Sequence, residues 1–317
     1  NVAKSWRHIA VGLGTALPLA YATLQQARRH EFSDALIPEP VRAKSADTIL
    51  LDPHWPQRFP LEAGDLARID ESEDHAFYSS PRFVQHIDES AVEALKVFYG
   101  THLPAGGKVL DLLSSWTSHL ATGKGADKTD GYFARVSAVG MNEAELRANK
   151  ALHDFNVADL NRFPNLRMYG DETFDAVFCS VSVDYLSKPL EVMAEIGRVL
   201  RPGGFVIFTW SNRMFPTKAI QAWRQASEPQ RLWICGAYLH FSRLFEAPGK
   251  DADGGVSRNR FCPSFLHLAT CFLKWGLIFR RDPAVRTLFM LSTRAKNEKP
   301  VGATLTHGSC EDNSWQL

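Results

Sequence analysis

Residues 106–116 read GGKVLDLLSSW. The Gly106-Gly107 turn leads into the apolar pair Val109 and Leu110, Asp111 closes the run, and the small polar residues Ser114 and Ser115 follow. A short apolar run that ends on a carboxylate and opens into a small-residue loop is how the first strand of an open α/β sheet delivers a ligand loop at its carboxyl end. The spacing predicts a strand over Lys108 to Leu113.

Units of the same kind follow. Arg135 to Val139 is a second strand, and Asn142 starts a helix, with Glu145 three residues on completing a capping-box pair. Phe155 to Ala158 is a third, weak strand before Asp159. Phe174 to Val183, FDAVFCSVSV, is almost continuously apolar, as expected of a strand covered on both faces. Pro189 sits in the first turn of the next helix, where its missing N–H does no harm. Leu190, Met193, Ile196, Val199 and Leu200 form that helix's apolar stripe. Arg201-Pro202-Gly203-Gly204 stops the helix and turns the chain into a strand over Phe205 to Trp210. Helices are expected over Pro216 to Ala226 and Arg231 to Phe245. Trp275 to Arg280 and Thr287 to Thr293 suit a closing antiparallel pair. The β-α-β-α-β order with short connections makes a doubly wound parallel sheet.

Upstream, His75 to His102 reads as a lead-in helix capped by Asp88, with Gly100 placed for a left-handed C-cap. Glu31 to Glu73 is rich in proline and charge and reads as an extended arm. His54, between prolines and beside Trp55, reads as a packed turn. Ile9 to Ala27 carries no charge. Its apolar part falls short of the roughly 20 residues that span a bilayer. Three readings stay open: a signal-like segment, a short membrane anchor, or a helix packed on protein. The chain begins with Asn1, which fits removal of a targeting segment or truncation. The expected division is 1–30 apolar helix and possible membrane anchor, 31–74 Pro-rich arm, 75–296 catalytic-type domain and 297–317 tail.

Formal net charge is +1 from 36 basic and 35 acidic side chains, which argues against a binder of nucleic acid by bulk charge. Cys179, Cys235, Cys262, Cys271 and Cys310 are widely spaced without a CxxC pair, so neither a disulfide framework nor a zinc site is expected. GKGADKTDG, at 123–131, lacks P-loop spacing and reads as a surface loop.

In order and spacing, VLDLLSSW, VSAVGMNEAEL, DETFDAVFCSVSVDYL and EIGRVLRPGG resemble a class I S-adenosylmethionine-dependent methyltransferase. FYSSPRFVQHID, LLSSWTSHL, SVSVDYLSKPLEV and SNRMFPTKAI resemble the methyltransferase-type-11-like proteins of plants, algae and bacteria. The resemblance covers about Phe77 to Lys296. It implies a Rossmann-like seven-stranded sheet of order 3-2-1-4-5-7-6, the last strand antiparallel, with S-adenosylmethionine as cofactor.

By this resemblance Asp111, Ser114, Ser115, Gly140, Asp159, Cys179 and Ser180 contact the cofactor. Tyr185, His86 and Asn212 shape the acceptor site and carry catalysis, with Tyr78 and Arg82 on the covering segment and Arg213 facing the substrate or the surface. His119 is read first as a histidine on a helix face satisfied by backbone and second as a base, and Trp116 as core or pocket wall. Two departures stand out. The usual GxGxG is replaced by Leu112 to Ser115, and Gly140 stands where an acidic residue usually holds the ribose, with Glu143 and Glu145 further along. The methyl acceptor is a small molecule or a protein. A different class also fits: a non-catalytic accessory subunit of a thylakoid or inner-mitochondrial membrane complex, held through the N-terminal helix, arm and tail. Likeness to plant and algal proteins points to the chloroplast, with the mitochondrion as alternative.

Overall fold

The computed structural model describes Leu50, residues 53–121 and 132–245, and the backbone of residues 288–294. Five parallel strands form its centre: β1 Lys108–Ser114, β2 Arg135–Gly140, β3 Asp154–Val157, β4 Phe174–Ser180 and β5 Leu200–Ser211. β6, Leu288–Arg294, lies antiparallel to β5. The order is β3-β2-β1-β4-β5-β6. A seventh strand, and with it the full order 3-2-1-4-5-7-6, is not among the described residues. The run Trp275 to Arg280, the apolar segment 9–27 and the tail also lie outside them. Among the described residues no helix is long and apolar enough to cross a membrane.

Strand alternation sorts the core onto two faces. Val109, Val136, Ala176, Phe178 and Ile207 pack under helix α3, Glu89–His102, through Val92, Leu95, Phe98 and Tyr99. (The shorter α1, Ala63–Leu66, and α2, Asp74–Tyr78, precede it.) The opposite face carries Leu110, Leu112, Val139, Val177, Cys179, Val206 and Phe208. After α4, Glu143–Ala148, which follows β2, that face is covered by α5, Pro189–Val199, by the short α6, Gln221–Gln225, and by α7, Glu228–Ser242. Residues Arg231 to Leu239 of α7 are all buried, because the arm lies over its outer side. Trp55 stacks on His240 at 4.9 Å and meets Trp233 at 5.3 Å. The neighbouring His54 is exposed.

Several local expectations are corrected. Gly100 stays inside α3, which ends instead through extended Leu103 before Pro104. Asn142 does cap α4, accepting from the Glu145 amide at 3.1 Å, but Glu145 does not reach back; its carboxylate serves the Arg82 amide and the Ser115 hydroxyl. FDAVFCSVSV is strand only to Ser180, after which a 3₁₀ turn takes Val183–Tyr185. Arg201 to Gly204 bulges within β5: Phe174 pairs with Leu200 and Ala176 with Phe205, so the extra residues loop out around Gly203 at φ 74°. The helix expected from Pro216 shrinks to α6, since Lys218 to Ile220 are spent on contacts with the arm and with Asp184.

Candidate active site

The loop after β1 is built without glycine, and its neighbours absorb the consequence. Register slips between Leu112 and Ser114, and Leu113 takes φ 57°. A bulky residue in the left-handed region costs roughly 1–2 kcal/mol, so the surroundings must hold it there. The slip pushes the Ser114 carbonyl onto the end of β2. A Cβ built at Gly140 would overlap that oxygen and come within 3.1 Å of Leu146 Cδ2. The two departures seen in the sequence are therefore one event. Because the loop lacks glycine, the end of β2 must be glycine, and no acidic side chain fits there.

Side chains brace this loop. Ser114 Oγ donates to Asp111 Oδ2 at 2.6 Å, and the Ser118 hydroxyl bonds the same carboxylate. Asn149 Nδ2 donates to the Ser115 carbonyl and to Ser118 Oγ, both at 2.9 Å. Ser115 Oγ donates to Glu145 Oε2 at 2.7 Å, while Glu145 Oε1 accepts from the Arg82 amide at 2.6 Å. Asn142 Nδ2 donates to the Tyr78 carbonyl at 2.8 Å. The covering segment is thus tied to the α4 N-terminus and to the loop at once.

Across the carboxyl ends of β1, β4 and β5 lies a cavity of about 710 Å³, within the range of ligand sites. Of the residues expected at the site, Asp111, Ser114, Ser115, Asp159, Ser180, His86, Tyr185 and Asn212 line it. Cys179 does not. It is on the opposite strand face from Ser180, fully buried against α5 and α7, where burial pushes its thiol well up. Gly140 also lies outside the wall, acting through the clearance it gives Ser114.

Three of the non-glycine residues with positive φ, Leu113, His119 and Val181, line this one cavity, a concentration of strain typical of ligand sites. His119 is not on a helix. It is buried, its Nδ1 has no hydrogen-bond partner, and burial with nearby Lys96 and His86 pushes its pKa down to about 4. It is a neutral imidazole at pH 7. Tyr185 lines the cavity; its hydroxyl accepts from the Phe215 amide at 2.9 Å, and burial drives its pKa well up. His86 lies edge-on to Phe215 at 5.3 Å, with its pKa lowered first by burial. Asp111 is 2% exposed, and burial pushes its pKa up to about 7 despite its two hydroxyl donors. Among the described residues no cation pairs with it.

The sequence reading missed a polar clamp beneath the cavity rim. Lys218 is fully buried, and its Nζ donates to the Ser72 carbonyl at 2.7 Å and pairs with Asp70 at 3.1 Å and Asp74 at 3.2 Å. Arg68 grips both oxygens of Asp74, and Asn161 joins Asp74 to the Tyr185 carbonyl. A lysine directly followed by the apolar pair Ala219-Ile220 was the available signal, since a charge embedded in a buried run needs partners.

The family model described as a methyltransferase domain (Methyltransf_11) matches residues 120–208. A probable methyltransferase, ltbC, of Aspergillus luteorubrus is 31% identical over 111 residues, 27% of this chain and 35% of that protein. The chain thus spans about a third of that relative's length. An S-adenosylmethionine-dependent methyltransferase of Mesorhizobium loti is 14% identical over 63% of this chain and 95% of its own, at a TM-score of 0.35. A methyltransferase of Aquifex aeolicus is 13% identical over 66% and 98%, at 0.34. At these scores the structural likenesses carry no weight of their own. The domain match and the curated relative show that residues 120–208 are similar to a methyltransferase domain, on a sheet whose central strands run parallel.

Proposed function

We propose that the chain transfers a methyl group from S-adenosylmethionine to an acceptor bound beside it in this cavity. The observation that carries this reading is Asp111, a buried carboxylate facing the cavity at the end of β1 with no cation partner among the described residues. An uncompensated buried charge is costly, and a ligand ammonium removes the cost. The α-ammonium of the cofactor's methionine end is such a group. Glu145 takes over the ribose hydroxyls from the side chain that Gly140 lacks. Asp159 spends Oδ1 on the amides of Asn161 and Arg162, which leaves its second oxygen for the adenine amino group. The residues present therefore fit the cofactor.

When bound, the cofactor supplies an electrophilic methyl on a sulfonium, so the protein's work is positioning and control of protons. Asp111 and the braced serine loop fix one end. Neutral His86 and His119 can each accept a proton from an acceptor, and the Tyr78 and Phe215 rings in the cavity wall exclude water beside it.

Asp111 makes the reading testable by proton linkage. Its pKa is raised above the unfolded value of 3.8, so the folded chain holds a proton that the unfolded chain gives up. Stability contributed by this group therefore falls as pH rises from about 4 to about 7, and Asp184, raised to about 7 by burial, acts in the same direction. A cation placed against Asp111 pulls its pKa down again and expels that proton. Calorimetry of S-adenosylhomocysteine near pH 6, in buffers of different ionisation enthalpy, is expected to show proton release that fades by pH 9. Asp111→Asn should abolish the release and weaken binding about 10- to 100-fold, the strength of a charge-assisted hydrogen bond. No binding at millimolar ligand by the folded protein would overturn the proposal.

A further inference from the structure

Six arginines of the described chain, Arg68, Arg135, Arg147, Arg162, Arg198 and Arg201, each pair with a carboxylate. Arg82 and Arg213 do not, and both line the cavity. Arg82 is held by rings instead: its guanidinium lies 4.6 Å from the Phe77 centroid, 5.6 Å from Phe215 and 5.9 Å from Tyr78. One of its donors goes to the Phe77 carbonyl at 2.8 Å. Arg213 touches the His86 carbonyl at 3.4 Å. Arg82 and His86 both face the Phe215 ring, both guanidinium charges act on His86, and each guanidinium has one described hydrogen bond among its five donors.

Among the described residues no carboxylate pairs with either guanidinium. Asp74 belongs to Arg68 and Lys218. Glu145 bonds the Arg82 amide, not its guanidinium. Asp111 lies at β1, held by its serines. Beyond the arginines the mouth turns apolar: Ile69 and Val84 are 55% and 57% exposed and line it together with Met214.

We propose that Arg82 and Arg213 clamp a carboxylate of the methyl acceptor beside His86, so that the acceptor is an apolar molecule carrying a carboxylate distinct from the atom that is methylated. The inference rests on the methyltransferase reading above for the word acceptor, and on the two arginines alone for the clamp. Planar guanidiniums match carboxylate geometry and keep their charge at any pH of interest. A carboxylate so held has its lone pairs engaged by donors and is a poor nucleophile, which leaves methylation to another atom of the same molecule. Such an anion also reports on its surroundings. His86 is depressed by burial, with Glu145 opposing and Arg82 and Arg213 adding to the depression. His119 is the other titratable ring coupled to it. An anion between the arginines raises the His86 pKa.

The cofactor has a carboxylate of its own, and the experiment separates the two sources. Benzoate and its neutral analogue benzamide are titrated by NMR onto the full chain, alone and saturated with S-adenosylhomocysteine. Wild type, Arg213→Ala and Arg82→Met are compared, the last keeping the bulk that packs on the rings. Benzoate is expected to bind at least 10-fold tighter than benzamide in both states, to raise the His86 pKa, and to lose that advantage in either variant. S-adenosylhomocysteine affinity should stay within about 3-fold of wild type. Equal binding of benzoate and benzamide, or unchanged benzoate binding by Arg213→Ala, overturns the clamp. A 10-fold loss of S-adenosylhomocysteine in the variants, with 5′-methylthioadenosine unaffected, gives the arginines to the cofactor and overturns the acceptor assignment. Should S-adenosylhomocysteine bind no form, the methyltransferase reading fails while the benzoate titration still judges the clamp.

Discussion

Gly140→Asp is expected to destabilise the fold by about 3 kcal/mol or more and to weaken S-adenosylhomocysteine binding, although it restores the acidic residue usual at that position. The added Cβ meets the backbone oxygen of Ser114, not the tip of a movable side chain. Relief requires the β1–loop junction to back away, and overpacking of this kind costs about 1–3 kcal/mol even where side chains can yield. Backing away also breaks the Ser114–Asp111 bond on which the site depends. For a domain of this size the loss corresponds to roughly 6–12 °C in melting temperature. Gly140→Ala should show most of the same loss, because the clash is with Cβ. A variant that melts like wild type and binds the ligand more tightly would mean that loop and strand adjust independently.

Lys218→Met carries the second large effect. Methionine fills the same slot, so the change isolates the ammonium. Without it the carbonyls of Asp70 and Ser72 lose their donor, and Asp74 is left to Arg68 and Asn161. Removing one partner from a buried charged network costs about 3–5 kcal/mol. The consequence should be local as well as global. Residues 68–74 lead directly into Tyr78 and Arg82, so loosening them loosens the cavity's roof. Limited proteolysis is expected to cut between Arg68 and Arg82 much faster than in wild type, with ligand affinity falling in parallel. If melting temperature and cleavage pattern both stay put, the clamp is ornamental.

The parallel sheet could be read from the chain because each central strand announces itself. VLDL, VSAV and FDAVFC are apolar on both sides, and only a sheet sheathed by helices accepts such runs. Asp111, Ser114 and Ser115 were legible for a related reason, as polar residues directly after such a run. Cys179 was misread by one step of strand alternation. Its neighbour Ser180 faces Tyr99 and the cavity, while Cys179 faces the helices behind. The link between Leu113 and Gly140 was invisible because it arises from a register slip, which leaves no compositional trace. Lys218, Asp74 and Arg68 were hidden for a third reason. Their partners are far apart in the chain, with Lys218 and Ser72 separated by 146 positions, and no periodicity reports such pairing.

The arm over α7 imposes an order of events on the ribosome. Trp55 and Phe59 finish on Trp233, Tyr238 and Phe241, and Gly236 leaves the space that Leu50 fills. These apolar residues are synthesised early, and their resting place is made late. At roughly 5–20 residues per second, the nascent chain carries them uncovered for about ten seconds or more before α7 emerges. The protein therefore cannot mature strictly from its N-terminus onward. Trp55 and Phe59 stay without their packing partners until α7 has passed the exit tunnel.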